Sequence, residues 1–282
     1  MRYIEVKFTK NEVLPYLLGE IGYESFIEDG DMLLAYIQEK DFSEQSIRSL
    51  LESSGDMCAN VDYTWSKVED KDWNEEWERE GFEPIVVADR MIIHDSRHLP
   101  EKVYPIDMVI DAKLAFGTGT HQTTNMMLQA LMKLYDEHYK GRVTRLLDCG
   151  CGTGILGIAA RKLGVDEVWA YDIDEWSVRN TADNSRKNGI DNLHAVCGDV
   201  TVLGREIIGS FDIVMANINR NILLADVAHF SNVLQTGGYL VVSGFYQSDS
   251  AVIEREFEKC KLVLCDNSIV NDDWTCMVFQ RV

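Results

Sequence analysis

The sequence predicts an α/β chain in two parts. The larger is a doubly wound, mostly parallel sheet with an antiparallel C-terminal hairpin, and a small α+β unit precedes it. Three observations predict this. In the C-terminal half, strand-like apolar runs alternate with helix-like ones, as in a sheet covered by helices on both faces. Within that half, Leu146 to Ala160 passes from apolar residues through Asp148 and glycines 150, 152 and 154 into a helix-forming run, which reads as strand, tight turn and helix. Residues 1–66 keep a different order: strand, helix, two strands, helix, strand.

Composition sets the outer bounds. The chain has 282 residues, 46% of them hydrophobic, enough for two cores and far from the disordered regime. No apolar run reaches membrane-spanning length, and Met1-Arg2-Tyr3-Ile4-Glu5-Val6 does not read as a signal peptide, so a cytoplasmic chain without membrane association is expected. Seven scattered cysteines suit reduced thiols. Cys149-x-Cys151 lacks a second pair, so small packed residues, not metal ligands, are expected, and no metal. A net charge of −20 repels phosphates, so direct nucleic-acid binding is not expected. The charge suits solubility, and equally a basic macromolecular partner.

Taken in order, Tyr3 to Phe8 reads as a strand and Asn11 to Glu20 as a short helix with Pro15 inside it. Ser25 to Glu28 and Met32 to Ile37 form a hairpin about Asp29-Gly30. Ser43 caps a helix over Glu44 to Leu51 that Ser53-Ser54-Gly55 ends, and Val61 to Trp65 is a last strand. The order βαββαβ is the split, ferredoxin-like pattern. It offers no evident chemistry, so residues 1–66 are expected to be a recognition module. Residues 67–81 read as a helical, acidic linker, with Trp73 and Trp77 four apart on one face. Residues 82–282 form the larger domain. Ile85-Val86-Val87 and Met91-Ile92-Ile93 look like strands there, and His94 and His98 like surface residues. A glycine- and threonine-rich loop, Asp111 to Thr124, abuts a helix over Asn125 to Tyr135. After the glycine turn come a strand ending at Asp172, a helix over Trp176 to Asn188, and strands over Leu193 to Cys197, Phe211 to Ala216 and Tyr239 to Gly244. Leu262 to Cys265 and Thr275 to Phe279 close the chain.

The chemistry gathers at the strand ends. The glycines let a ligand approach the main chain, and the following helix offers free N–H groups. Asp148 is placed to meet a cation, and Asp172 to bind the two hydroxyls of a ribose. Gly152-x-Gly154-x-x-Gly157 followed by Asp172 formally satisfies a dinucleotide fingerprint. Asp148 beside the glycines, the Gly150-x-Gly152-x-Gly154 spacing, Gly198-Asp199 and Ala216-Asn217 instead favour S-adenosylmethionine over NAD. The threonine-rich loop around Phe116, Thr120 and His121 then reads as a lid whose hydroxyls and N–H groups meet the methionine carboxylate.

These residues resemble the PrmA family of class I, S-adenosylmethionine-dependent methyltransferases, which have a Rossmann-like domain and methylate ribosomal protein L11. The match is carried by Trp73-x-x-x-Trp77 with Phe82-x-Pro84, by Ala115 to Thr124, by Asp148 to Leu156, and by Ala216-Asn217-Ile218. The resemblance implies cofactor contacts at Thr124, Gly150, Asp172 and Asn217. Phe116, Thr120, Asp148, Gly152, Gly154, Ile173 and Asp199 complete the expected cofactor set. It further implies that the N-terminal domain grips the ribosomal protein while the larger domain methylates lysine ε-amines, sometimes the α-amine; a monomer is expected. Asn217 is the candidate to orient the amine, and His121 is a candidate proton acceptor or hydrogen-bonding residue. Asn217-Ile218-Asn219 replaces the Asn-Pro-Pro-aromatic run of glutamine and adenine methylating enzymes, and Asn219 departs from the leucine common in the family. The alternative is a small-molecule methyltransferase, which would share every cofactor residue.

Overall fold

The structure, a computed structural model, describes residues 3–11, 13–23, 25–30, 32–58, 61–67, 81–112, 119–142, 144–265 and 268–282. The chain divides into two compact units, Met1–Glu75 and Glu76–Val282. The expected linker helix with Trp73 and Trp77, and Ala115 to Thr118 of the lid, lie outside the described residues.

The first unit comprises β1 (Tyr3–Thr9), α1 (Leu14–Glu20), β2 (Ser25–Asp29), β3 (Met32–Gln38), α2 (Glu44–Ser53) and β4 (Tyr63–Lys67). Its sheet order is β2-β3-β1-β4 with antiparallel neighbours, the arrangement the βαββαβ order implies. Burial along β3 alternates residue by residue, as a strand with one wet face requires. Ile4, Val6 and Phe8 join Leu33, Ala35 and Ile37 beneath Leu14 and Leu18 of α1 and Ile47 of α2. Pro15 disrupts nothing, because it falls in the first helical turn, where its missing N–H has no partner to lose.

The second unit opens with β5 (Ile85–Val87), β6 (Met91–His94) and β7 (Ile106–Val109), a three-stranded sheet whose last strand has no clear signal in the sequence. Then follow α3 (Gln122–Leu134), β8 (Arg145–Cys149), α4 (Ile155–Leu163), β9 (Glu167–Asp172), α5 (Glu175–Lys187), β10 (Leu193–Cys197), β11 (Phe211–Asn217), α6 (Arg220–Val233), β12 (Leu234–Tyr246), α7 (Ser250–Glu258), β13 (Leu262–Leu264), β14 (Ile269–Asn271) and β15 (Trp274–Arg281). The large sheet has the order β10-β9-β8-β11-β12-β15-β13, with β14 on β15. Strands β8 to β12 are parallel. The C-terminal strand β15 runs against β12 and β13 and slots between them.

Side-chain alternation splits the core into two layers. Leu146, Ile213, Met215 and Val241 face a cluster with α3, α4 and β5 to β7. Leu147, Val214, Ala216, Leu240 and Val242 face the opposite cluster with α6 and α7. Because β8 has β9 on one side and β11 on the other, the chain reverses direction of travel there, and a crevice opens at the carboxyl ends of these strands.

His94 is not the surface residue expected. All four residues of β6 are buried because the strand is central to its sheet, and His94 is only 3% exposed. Its Nδ1 lies 2.6 Å from the Asp95 carbonyl and its Nε2 3.2 Å from Asp107. Asp95 is itself buried and gathers the N–H groups of Arg97, His98 and Phe82 and the His98 ring. Burial works to raise its pKa, but these bonds outweigh it and hold the carboxyl at about 2. The start of the described part of this unit is thereby pinned.

Candidate active site

At the end of β8 the chain turns so tightly that Gly150 takes φ +74°, and a Cβ there would sit 2.5 Å from the Ile218 side chain. The turn is held from within. Gly150 and Cys151 donate to the Tyr171 carbonyl, Gly154 to the Cys151 carbonyl, Gly152 to Asp172 Oδ2 (2.9 Å), and Gly157 to Asp148 Oδ2 (3.1 Å). These N–H groups are therefore spent on the protein itself. Asp172 also receives the Asp174 N–H at 3.0 Å, so it anchors the turn as well as facing the crevice.

A cavity of about 680 Å³ lies over these strand ends, within the usual range for a small-molecule site. Along the sheet its walls are Asp199 after β10, Tyr171 to Asp174 at the end of β9, Gly150 to Gly152 after β8, Asn217 to Asn219 at the end of β11, Gly244 of β12 and Trp274 of β15. Thr123 and Thr124 of α3, Ser177 of α5, and Ile222 and Asp226 of α6 close it. Asp172, Asp174, Asp199 and Asp226 all line it, and no lysine or arginine does among the described residues.

Of the expected residues, the structure brings Thr124, Gly150, Gly152, Asp172, Ile173, Asp199, Asn217 and His121 to this one cavity. Phe116 lies outside the described residues. Three of the expected residues stand outside the lining. Asp148 does not line the cavity. It is 1% exposed behind the turn, where burial pushes its carboxyl up to about 7; the Gly157 N–H opposes that rise, and the Asp172 charge adds to it. Gly154 caps α4 at φ +81°, and the space beside it is filled by Thr181. Thr120 is exposed and outside the lining.

His121 caps α3. Its Nδ1 receives the Thr123 N–H at 3.3 Å and lies 2.8 Å from Thr123 Oγ1, and its ring stands edge-on to Trp274 at 4.9 Å. Nδ1 is thus already an acceptor, which puts the proton of the neutral ring on Nε2. Gln122 Nε2 reaches Asp272 Oδ2 at 2.6 Å, so the start of α3 and the β14–β15 turn form one wall. Asn217 Nδ2 points to Thr124 Oγ1 at 3.4 Å, which leaves Oδ1 for another partner. Ile218 donates to the Ser243 carbonyl, and a Cβ on Gly244 would fall 2.4 Å from the Ile218 oxygen, so the peptide after Asn217 has one position.

Tyr171, Ser177, Ile222, Asp226, Gly244 and Trp274 were not anticipated. Asn219, Ile222 and Asp226 recur at helical spacing from the end of β11, a readable signal once α6 is placed. Also missed was the polar face of α5. Asn188 exchanges two bonds with the Val109 backbone (3.0 and 2.7 Å). Asn184 exchanges two with Asp111 and donates to the Thr153 carbonyl at 2.9 Å, while Thr181 donates to the Gly152 carbonyl at 3.0 Å. The fully buried Asn184 thus ties the glycine turn to the chain that leads into the threonine-rich loop.

The residues fit S-adenosylmethionine. A pyrophosphate would need free N–H groups and cations; the N–H groups of Gly150, Cys151, Gly152 and Gly154 are taken up within the turn, and carboxylates, with no lysine or arginine among the described residues, line the cavity. A sulfonium with an ammonium suits the same walls, and Asp172 remains the acidic group at the end of β9 for ribose hydroxyls. Fold and site together define a class I S-adenosylmethionine-dependent methyltransferase. The family model described as "Ribosomal protein L11 methyltransferase (PrmA)" matches residues 9–282. The chain is 40% identical over 286 residues to the Ribosomal protein L11 methyltransferase of Bacteroides fragilis, and 41% over 288 residues to that of Bacteroides thetaiotaomicron, with 99% of each chain covered in both. The solved ribosomal protein L11 methylase from Lactobacillus delbrueckii subsp. bulgaricus superposes with a TM-score of 0.62 at 26% identity, covering 71% of this chain and 99% of that one. The chain belongs to the PrmA family.

Proposed function

We propose that the chain transfers methyl groups from S-adenosylmethionine to lysine ε-amines of ribosomal protein L11. The full-length relationship to enzymes named for that substrate carries this reading. Charge supports a basic protein partner. Residues 1–75 hold 17 Asp and Glu against 7 Lys and Arg, a net −10 and thus half of the chain's −20 in about a quarter of its length. The first unit is accordingly read as the recognition module.

S-adenosylmethionine supplies an electrophilic methyl group. Everything else falls to the chain. Asp172, Asp199 and Ile173 stand at the ends of β9 and β10 and would hold the nucleoside, while Gly150, Gly152 and Thr124 would hold the amino-acid end. Among the described residues, the acceptor wall, the part of the lining made by Thr123, Thr124, Asn217, Asn219 and Trp274, carries no carboxylate of its own; the four aspartates of the lining come from β9 and the loop after it, from just after β10 and from α6, and Asp272 nearby is already held by Gln122. A lysine amine entering there leaves water without gaining a countercharge, which lowers its pKa and favours the neutral nucleophile. Asn217 Oδ1 accepts one amine hydrogen and aims the lone pair, and His121 holds the wall in place through its cap and its contact with Trp274. Positioning of this kind supplies about 7–11 kcal/mol of rate enhancement where alignment is good.

The test is transfer of labelled methyl from S-adenosylmethionine to purified ribosomal proteins, resolved by mass. One large-subunit protein gaining methyl groups at lysine is the expected result. Labelling of small metabolites alone, with all ribosomal proteins blank, would overturn the reading.

A further inference from the structure

Beyond Trp274 the acceptor wall continues into a second, open cavity of about 610 Å³ lined by Tyr246, Gln247, Ser248 and Asp273. The two cavities share an aromatic partition. Tyr246 pairs with Trp274 across β12 and β15, their rings 4.5 Å apart and tilted by 33°, and Trp274 also meets His121 edge-on at 4.9 Å. Tyr246 is 51% exposed, so its ring is open to a partner as well as to Trp274. Its backbone neighbourhood is fixed, since the Gln247 N–H donates to the Asp273 carbonyl at 2.7 Å. Two carboxylates nearby are already engaged, Asp249 by Arg220 (2.7 Å) and Asp272 by Gln122. The exposed Asp273 carboxylate has no ion pair among the described residues.

Sheet order gives the direction. The nucleoside end lies over β10 and β9, Asn217 ends β11, and Gly244 and Trp274 follow on β12 and β15. A chain carrying the acceptor amine to Asn217 has the β12–β15 side left to it, and that side is the second cavity. We propose that Tyr246, Gln247, Ser248 and Asp273 form a docking subsite for the basic polypeptide flanking the acceptor lysine. A lysine or arginine about one to three residues from the acceptor, at roughly 3.3 Å per extended residue, lies on the exposed face of Tyr246 and pairs with Asp273. The inference rests on the reading that the acceptor is a protein.

The experiment is steady-state methylation of full-length L11 by the full-length chain and its Tyr246→Ala, Tyr246→Phe and Asp273→Asn variants, with S-adenosylmethionine affinity measured by calorimetry. Tyr246→Ala and Asp273→Asn should each raise the KM for L11 about fivefold. Saturated kcat should stay within twofold and cofactor affinity should be unchanged, while Tyr246→Phe, which keeps the ring, stays near wild type. The KM effect of Asp273→Asn should shrink as salt rises. An unchanged KM in both loss variants would overturn the subsite, as would a fall in kcat without a change in KM, which would place these residues in the reaction wall. Wild-type chain that transfers nothing to L11 would overturn the protein-acceptor reading and this inference with it.

Discussion

Asp148 offers a prediction that separates its place in the fold from the expectation that it touches the cofactor. In the unfolded chain its carboxyl ionises near 3.8, and behind the glycine turn near 7, chiefly because burial penalises the charge. The difference corresponds to about 4 kcal/mol. Below the lower value both states are protonated and nothing is lost. As pH rises toward 7 the unfolded chain has released its proton and the folded chain has not, so stability falls; above 7 the full penalty remains. Asp148→Asn removes this dependence, at a cost of about 1–2 kcal/mol for a weaker bond to Gly157 and an amide with no further partner. Urea denaturation of both proteins, followed by tryptophan fluorescence, should show the variant gaining about 2 kcal/mol relative to wild type between pH 5.5 and 8. A difference that stays flat across that range would refute the reasoning. A cationic cofactor above the turn should favour the ionised form, so binding near pH 7 should release protons from wild type and fewer from the variant.

Three further outcomes follow from the site. Gly150→Ala places a side chain at φ +74° and 2.5 Å from Ile218, so cofactor affinity should fall at least about tenfold by calorimetry, and unchanged affinity would discredit the close approach. Asp172→Asn removes a charged acceptor from the ribose position and one N–H partner from the turn, for a loss of about 1.5–3 kcal/mol in cofactor binding; a Kd within threefold of wild type would rule out both roles. Asn184→Leu removes the partner of the Asp111 N–H and of the Thr153 carbonyl in a buried place, while the Asp111 carbonyl keeps its bond from Asn180, and should cost about 2–4 kcal/mol in denaturation, whereas a loss under about 1 kcal/mol would show that these bonds contribute little to stability.

Much of the site was legible in the chain because its signals are local. The glycine turn, Asp172 one strand later, Gly198-Asp199 and Ala216-Asn217 each stand where a strand ends, and parallel strands in a doubly wound sheet all end at one edge. The two layers into which alternation along β8, β11 and β12 sorts the apolar residues, by contrast, emerged only with the packed sheet. The βαββαβ order of the first unit required only local turns and caps, such as Ser43 Oγ receiving the Ser46 N–H.

What only the tertiary structure decided depends on distances between segments far apart in sequence. Asp148 reads as a ligand in the chain, but the side on which its carboxylate falls was set by the register of β8 against α4. His94 looked superficial because nothing local reveals that β6 is a central strand, which depended on β7 pairing with it. Trp274 and Tyr246 became site residues because β15 inserts beside β12 and carries the last turn of the chain back to α3, 150 positions away at the Gln122–Asp272 bond. Sequence fixes which residues can form a strand or a turn through local sterics; the wall a residue joins is set by packing, which no local pattern encodes.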